Sequence, residues 1–372
     1  MTTATMTDAV CPSVGHGDGT ALRVQGKCRS VKNVIVVLSK VAFATAQTVF
    51  YWVFWRGLVV NLQNWQRMSA NPTNAIKGFH MNRVAFCKEP DVIVFVTWLA
   101  HILPELQIGL CIKKSKFVPG GLNAEVCGIQ NIIPNHYVWK ATGMETGNWE
   151  ETTTHLNCLA TALQSAVKAP EGDGSLNACG KIIKWGGDRN AKKGATPFLG
   201  SLGSNLSTYI SDVGAALNLA NADLTAFRPR VCRMNSMLTK IHALNSTDGL
   251  PIYDSRVAAA IATLVEMWRQ KSDNRTSIPD LLKFPATLRS RSVTYAFPCA
   301  PTPGVLNYST TAVVRTASEW CSAKVRLGWL MECVLTNSPK LWACEQHPQR
   351  MRNFEAALFM IGYDVKCLRS PT

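Results

Sequence analysis

The sequence predicts a mainly α-helical protein with two helical domains and a divergent N-terminal region. Apolar residues recur at three- and four-residue steps through most of residues 148–361, which is the spacing of helices that bury one face. Strand-like patterns are limited to residues 113–139, where Gly, Pro and Asn interrupt short apolar runs. With 372 residues, 47% of them hydrophobic, the chain is long enough for a sizeable core.

The chain is strongly basic. Its formal net charge is +15 at pH 7, although only 17% of its residues are charged. This balance favours a polyanionic partner, either nucleic acid or an acidic membrane face. A solvated basic surface without a partner would give the same composition. The Lys and Arg residues are spread along the chain, without the block that is typical of localisation signals or basic tails.

The thirteen cysteines show no C-x-x-C pair and no Cys/His spacing suited to zinc. Their odd number also argues against a complete disulfide framework. Free thiols in a reducing compartment explain them most simply. The sequence therefore predicts a cytoplasmic protein with neither a metal nor a cofactor.

The N-terminal part divides into two predicted segments. Residues 1–32 are polar, small and Gly-containing, which predicts a disordered tail and not a signal peptide. Residues 33–130 form an N-terminal region that is predicted to be mostly helical. Its segment 33–65 is apolar and aromatic, but the run free of charged residues, 41–55, is shorter than the roughly 20 residues that a membrane span needs. A buried helix is favoured over a span there.

Residues 131–372 are predicted to form the second, helical domain. Helical patterns cover residues 152–167, 198–219, 311–335 and 349–361, and a Pro-rich loop covers 276–305.

A tight loop in this domain contains Trp185, two glycines, Asp188, Arg189 and Asn190. Two adjacent glycines let the backbone approach a ligand closely. Trp185 can stack on an extruded base, and Asp188 or Asn190 can bind the edge of that base. A loop with an ordinary packed Trp is the alternative.

The stretch 233–268 organises the domain. Its sequence is RMNSMLTKIHALNSTDGLPIYDSRVAAAIATLVEMW, two helical patterns joined by a turn at 245–249 and an extended segment. Asp254 begins the second helix. It has two compatible interpretations, an N-cap whose carboxylate accepts backbone N–H groups and a catalytic carboxylate facing a cleft.

The segments 240–244 (KIHAL) and 251–260 (PIYDSRVAAA) resemble the helix-hairpin-helix DNA glycosylase superfamily, in particular its 8-oxoguanine-glycosylase-like branch. The resemblance implies a mainly helical glycosylase fold in which Asp254 is the essential carboxylate. By residue type alone, Trp185, Tyr253 and Tyr308 are candidate walls for an extruded base. Ser255 and Arg256 lie at a helix N-terminus, where N–H groups can hold a phosphate. Arg256 bracing Asp254 is the alternative.

The chain departs from this family in two places. The family's Leu-Pro-Gly-Val-Gly hairpin is missing, because residues 227–232 read FRPRVC, so the hairpin is degenerate or replaced. Members that also cut the strand carry a Lys eighteen or nineteen residues before the Asp, where this chain has Ser236 and Asn235. Lys240 lies later in the helix. The resemblance therefore implies an enzyme without an amine for a Schiff base, with Asn235 and Lys240 as DNA-contact candidates.

The favoured hypothesis is a monofunctional DNA glycosylase that flips and excises a modified base and leaves an abasic site. A role in bacterial antiviral defence fits the resemblance, with modified cytosine of phage DNA, hydroxymethylated or glucosylated, as the target. DNA is the expected partner, and no obligate protein partner is evident. The alternatives are a non-catalytic DNA-binding protein on the same scaffold, with Asp254 only a cap, and a membrane-associated protein anchored by residues 33–65.

Overall fold

The computed structural model describes residues 80–169, 172–188, 194–228, 230–271, 276–285 and 316–368. All of these belong to one compact unit, Phe79–Thr372. Within them the structure has eleven α-helices and a single two-stranded sheet, so the predicted mainly α class is confirmed. The predicted tail (1–32) and the apolar segment (33–65) lie outside the described residues.

The described chain begins with two helices and a hairpin. Helix α1 (Arg83–Lys88) starts at Asn82, whose side chain accepts the N–H of Ala85, and α2 (Pro90–Ile102) follows it. Strands β1 (Gln107–Ile112) and β2 (Leu122–Cys127) pair antiparallel. The sequence placed a strand pair within residues 113–139, and the structure has one that begins earlier, because the Gly/Pro-containing stretch forms its connecting loop.

Helices α3 (Ile132–His136), α4 (Trp149–Lys168), α5 (Gly174–Trp185), α6 (Ala195–Ser201) and α7 (Leu206–Leu217) form the middle of the unit. The helix expected over 198–219 is divided into α6 and α7. The break falls at Gly203, where the backbone has φ of +52°, a conformation that residues other than glycine rarely adopt.

The last four helices are α8 (Ser236–Asn245), α9 (Ser255–Gln270), α10 (Ala317–Asn337) and α11 (His347–Ile361). The N-terminal helices share their core. Phe95 of α2 meets Trp268 of α9 edge to face at 5.3 Å between ring centroids, and Phe86 of α1 meets Trp329 of α10 at 5.5 Å. None of the described helices combines the length and apolar character needed to cross a bilayer.

Fixed backbone contacts hold the segment between α8 and α9. The carboxylate of Asp248 accepts the N–H groups of Leu219 at 2.6 Å and Leu250 at 3.1 Å. The buried ammonium of Lys324 donates to the carbonyl oxygens of Thr239 at 2.9 Å and Pro251 at 2.6 Å. Burial lowers the pKa of Lys324 to about 7. These bonds set the direction in which the chain enters α9.

Beyond Pro251 the segment is extended, and its side chains alternate in direction. The N–H of Ile252 donates to Glu355 of α11 at 3.0 Å. Tyr253 is fully buried, and its hydroxyl donates to the carbonyl oxygen of Pro285 at 2.7 Å. Ile252 and Asp254 therefore face one side and Tyr253 faces the other.

His242 of α8 is buried, and neither of its ring nitrogens has a hydrogen-bond partner among the described residues. Burial, with a smaller effect of the Lys324 charge, lowers its pKa to about 3 from 6.5. An unfolded chain takes up this proton below pH 6.5 and the folded protein does not, so the free energy of unfolding should fall as pH drops from 6.5 towards 3. The slope from this residue is at most about 1.4 kcal/mol per pH unit.

In urea titrations at a series of pH values, we expect His242→Leu to reduce the fall in the free energy of unfolding between pH 6.5 and 3, which we call the acid limb. At neutral pH the substitution should stabilise the protein by about 1 kcal/mol, since it removes two unpaired polar atoms. His101→Leu, at an exposed site, is the matched control and should leave the limb unchanged. Equal pH slopes for wild type and His242→Leu would contradict a neutral buried imidazole.

Candidate active site

Asp254 caps helix α9, as one of its two interpretations predicted. Its Oδ1 accepts the backbone N–H groups of Arg256 at 2.9 Å and Val257 at 3.2 Å. The N–H of Arg256, which was a candidate for holding a phosphate, is thus occupied by the protein's own carboxylate. The second oxygen of Asp254 has no part in the cap.

That second oxygen, Oδ2, lies 3.3 Å from the Nζ of Lys240 on α8. Both side chains are more than nine-tenths buried. Burial raises the pKa of the Asp254 carboxyl, but the positive charges of Lys240 and Arg256 and the two backbone N–H groups outweigh burial, and the pKa lies below the ordinary 3.8. Asp254 is therefore ionised at neutral pH, although it is nearly enclosed.

Asp254, Lys240, Trp185 and Arg256 line one cavity, so the structure brings together four of the candidate residues. The free space inside it is about 30 Å³, room for a water molecule or two and less than a nucleobase occupies. Aromatic rings make most of its wall, and two further charged groups lie on its α11 side. The remaining lining residues include Tyr137, Trp139, Trp149, Arg352, Glu355 and Phe359.

Two buried donors at this cavity have no hydrogen-bond partner among the described residues. One is the indole N–H of Trp185, a side chain that is only 7% exposed. The carbonyl oxygen of the same residue accepts the indole N–H of Trp139 at 3.3 Å, which fixes the position of Trp185. The other donor is the Nε of Arg256. Unpaired buried donors are rare in folded proteins and mark places where a ligand can supply the missing acceptor.

The guanidinium of Arg256 lies among three aromatic rings. Its central carbon is 4.1 Å from the ring centroid of Tyr363, 4.8 Å from Phe359 and 5.3 Å from Trp139. Such contacts between a planar cation and ring faces are favourable, more so when water is excluded. The side chain of Arg256 therefore fills part of the aromatic space beside Asp254, and this contact to three rings is its main anchor.

Helix α11 contributes residues that sequence reasoning missed. Nη1 of Arg352 lies 2.5 Å from Oε2 of Glu355, and its Nη2 donates to the carbonyl oxygen of Ala243 at 3.2 Å. Arg352, Glu355 and Phe359 follow one another at steps of three and four residues, so they share one helix face. This spacing predicts that the three residues share a face of α11, but the sequence does not indicate which other element that face contacts.

The other candidate residues lie away from the cavity or outside the described part. Asn235 caps α8 by accepting the N–H groups of Met237 and Leu238. Tyr253 is in the core, and Ser255 is half-buried at the start of α9. The N–H of Asp188 donates to the carbonyl oxygen of Ile183 at 3.3 Å. Arg189, Asn190 and Tyr308 lie outside the described residues.

A larger groove, of about 850 Å³, opens on another side of the unit, between α1, α2 and the end of α10. Its lining residues include no Asp, Glu or His. It is therefore less suited to acid–base chemistry than the smaller cavity at Asp254. Among the described residues, no group of three or more His, Cys, Asp or Glu is arranged to hold a metal ion.

Searches of protein-family models, of curated proteins and of solved structures gave no match to this chain.

Proposed function

We propose that the protein is a DNA N-glycosylase that releases a modified base and leaves an abasic site. One observation carries the proposal: an ionised, nearly enclosed carboxylate, Asp254, shares an aromatic-walled cavity with Trp185. The two residues are far apart in the sequence, and each was a candidate on separate grounds. The net charge of +15 suits a polyanionic substrate.

The carboxylate supplies the charge that this reaction needs. Breaking an N-glycosidic bond builds positive charge on the sugar as the base departs, and a nearby carboxylate stabilises that cation and orients water. Asp254 is suited to this role because its cap bonds and Lys240 hold it ionised without a shell of water. Its rotation is also restricted, since Oδ1 is fixed by two N–H groups.

The aromatic walls suit a base that has left the stack. An extruded base is held between apolar or aromatic side chains and bound at its edge by a few polar groups. Trp139, Trp149 and Trp185 supply the rings, and the unpaired indole N–H of Trp185 is a donor for a carbonyl oxygen of the base. Modified cytosine carries such an oxygen, and we propose it as the first class of base to assay.

The cavity has to open before a base fits, because its free space is about 30 Å³. Arg256 is the side chain best placed to make room, since no described carboxylate forms an ion pair with it and its contacts are to ring faces. An incoming base would take the place of the Arg256 guanidinium among these rings. The guanidinium would then be free to turn towards the phosphates of the opened strand.

Lys240 is near enough to Asp254 to pair with it, and this pairing supports a monofunctional enzyme. Its ammonium lies 3.3 Å from the carboxylate and from the carbonyl oxygen of Ser236. A Schiff base needs a neutral amine that can reach the sugar carbon. An ammonium held by a carboxylate is poorly suited to that attack.

The proposal is tested by base release from defined DNA. The full chain is incubated with single- and double-stranded oligonucleotides that contain hydroxymethylcytosine, glucosylated hydroxymethylcytosine or oxidised purines, and then treated with hot alkali. We expect strand breaks at the modified base only after alkali, and no covalent adduct with borohydride. Absence of breaks on every substrate would contradict glycosylase activity, and a borohydride-trapped adduct would contradict the monofunctional mechanism.

A non-catalytic DNA-binding protein is the second candidate. The cap made by Asp254 and the small free volume of the cavity favour it, because a purely structural Asp would look the same. This candidate predicts salt-sensitive DNA binding that is unchanged when Asp254 becomes asparagine, with no base released by either protein.

A further inference from the structure

The loop between β1 and β2, residues 113–121, presents Lys113, Lys114 and Lys116, all exposed. Its backbone is fixed by a reciprocal pair of bonds. The N–H of Ser115 donates to the carbonyl oxygen of Val118 at 2.9 Å, and the N–H of Val118 donates back at 3.2 Å. The lysines thus project from an ordered turn.

Phe117 attaches this loop to the wall of the cavity. Its ring stacks on that of Trp139, with centroids 3.9 Å apart and planes 10° from parallel. Its carbonyl oxygen accepts the N–H of Lys140 at 2.8 Å. Phe117 also covers Gly187, where a Cβ would lie 2.5 Å from the ring. The loop, residues 139–140 and the end of α5 therefore meet around one phenyl ring, directly behind Trp139 and Trp185.

These three segments carry five lysines, which we call the basic rim: Lys113, Lys114, Lys116, Lys140 and Lys184. No described Asp or Glu forms an ion pair with any of the five. Five like charges on neighbouring segments repel one another, and they are stabilised by a polyanion. Lys140 and Lys184 are next in sequence to Trp139 and Trp185, so the basic rim is carried by the same segments as two walls of the cavity.

We propose that the basic rim binds the phosphate backbone of the strand whose base enters the cavity. This inference rests on the proposed function for the role of the cavity, but the binding itself does not require catalysis. Lysines that neutralise phosphates release condensed counterions, so each contact adds about 0.9 to the slope of log affinity against log salt concentration for duplex DNA.

The test compares two triple variants by fluorescence anisotropy with an unmodified 20-mer duplex over a series of salt concentrations. Lys113→Ala/Lys114→Ala/Lys116→Ala should lower the salt slope by about 2 to 3 and weaken binding at least about tenfold at low salt. Lys168→Ala/Lys340→Ala/Lys366→Ala removes the same charge from exposed sites elsewhere and is the matched control. We expect it to change the slope by less than about 1.

An equal loss in both variants would show that only net charge matters and would overturn the basic rim, as would unchanged binding by the loop variant. The two proposals fail separately. Loss of binding by the loop variant, with no base released by wild type from any substrate, supports the rim and removes the glycosylase. Base release by wild type, together with an unchanged salt slope in the loop variant, would support the glycosylase and overturn the basic rim.

A second inference comes from a different part of the unit. The sulfur atoms of Cys87 on α1 and Cys333 on α10 lie 2.8 Å apart. Both residues are half-buried, and both line the open groove of about 850 Å³, so small oxidants can reach them. Arg83, one turn from Cys87, lies in the same groove.

We infer that Cys87 and Cys333 form a reversible disulfide when the protein meets hydrogen peroxide. The thiolate of Cys87 attacks one peroxide oxygen, which gives a sulfenic acid and releases hydroxide that is protonated to water. The sulfur of Cys333 then attacks the sulfur of Cys87, and a second water leaves with the proton of that thiol. Two thiols and one peroxide thus give one disulfide and two waters.

The surroundings assign the attacking role to Cys87. The hydrogen bond between the two thiols and, against some opposing burial, the charge of Arg83 lower the pKa of the Cys87 thiol. The same hydrogen bond and burial raise the pKa of the Cys333 thiol. Thiolates are the reactive form of cysteine. Cys179 and Cys321 are buried, and burial raises the pKa of each to about 12, so they should stay unoxidised.

The test treats the full chain with hydrogen peroxide, blocks remaining thiols with N-ethylmaleimide and maps cross-linked peptides by mass spectrometry. We expect a peptide linking Cys87 to Cys333 and a melting temperature higher by on the order of 5 °C, both reversed by dithiothreitol. Cys87→Ser should abolish both effects, and Cys127→Ser, at an exposed site, should abolish neither. Alkylation of both Cys87 and Cys333 after peroxide treatment would overturn the inference.

Discussion

Replacing Asp254 with asparagine is expected to lower the rate of base release by about 10³-fold while the protein stays folded. Asparagine is a good N-cap residue and keeps an oxygen for the N–H groups of Arg256 and Val257. It has no negative charge to stabilise a sugar cation. The substitution thus keeps the cap and removes the charge, which alanine cannot do because it removes both. It also leaves the buried Lys240 ammonium without its carboxylate partner, so the stability of the variant is measured beside its rate. Single-turnover assays with excess protein measure the rate, and circular dichroism checks the fold.

A second cap provides the control. Thr316 begins α10 with a capping box, in which its hydroxyl accepts the N–H of Glu319. Thr316→Ala should cost about 1 kcal/mol of stability and leave base release unchanged. If Asp254→Asn releases base at the wild-type rate, the carboxylate is only a structural cap and the glycosylase proposal is wrong.

Replacing Lys240 with methionine is expected to give the second-largest effect, a loss of about 3–5 kcal/mol in the free energy of unfolding. The substitution leaves the Asp254 carboxylate buried without its ammonium partner. Lys181→Met, on the exposed face of α5, removes the same charge with the same replacement and should stay within about 0.5 kcal/mol of wild type. Urea titration measures both.

The same substitution should shift the pH dependence of base release. In wild type, the pKa of Asp254 lies below its ordinary 3.8, so the stability that this carboxylate contributes is present above pH 3.8 and is lost as pH falls through the folded-state pKa. Without Lys240 the folded-state pKa rises, and the acid limb of the rate should move to higher pH. An unmoved acid limb would show that Lys240 does not control the charge of Asp254.

The Asp254→Asn/Lys240→Met double variant completes a double-mutant cycle that measures the coupling between the two side chains. Its loss of stability should be smaller than the sum of the two single losses, because neither partner is then left as an unpaired buried charge.

Local patterns predicted two helices and the cap between them, but they did not predict the ion pair between Lys240 and Asp254. Apolar spacing predicted α8 and α9, and an Asp before a helical pattern predicted the cap at Asp254. Lys240 and Asp254 are fourteen residues apart and belong to elements joined by one turn, so their meeting is a short-range consequence of the chain's path. Sequence patterns predicted no contact between residues that are farther apart in the chain.

The walls of the cavity could not be predicted in the same way. Trp139 comes from the connection before α4, and Glu355 and Phe359 come from α11, about a hundred residues or more from Asp254 on either side. Large aromatic residues look alike in sequence whether they fill a core or line a cavity. Tyr253 shows the same difficulty at close range: it neighbours Asp254, but strand-like alternation turns it into the core.

The water-sized space beside Asp254 has a kinetic consequence. If a nucleotide binds there as proposed, the walls of the cavity must part first, and that opening is a first-order event within the protein. At saturating protein the single-turnover rate should therefore reach a ceiling, set by this opening step, that more protein cannot raise. Smaller side chains in place of the aromatic residues of the wall should raise the maximal rate and also let unmodified bases enter. The same side chains would therefore limit the rate and provide the selectivity for modified bases.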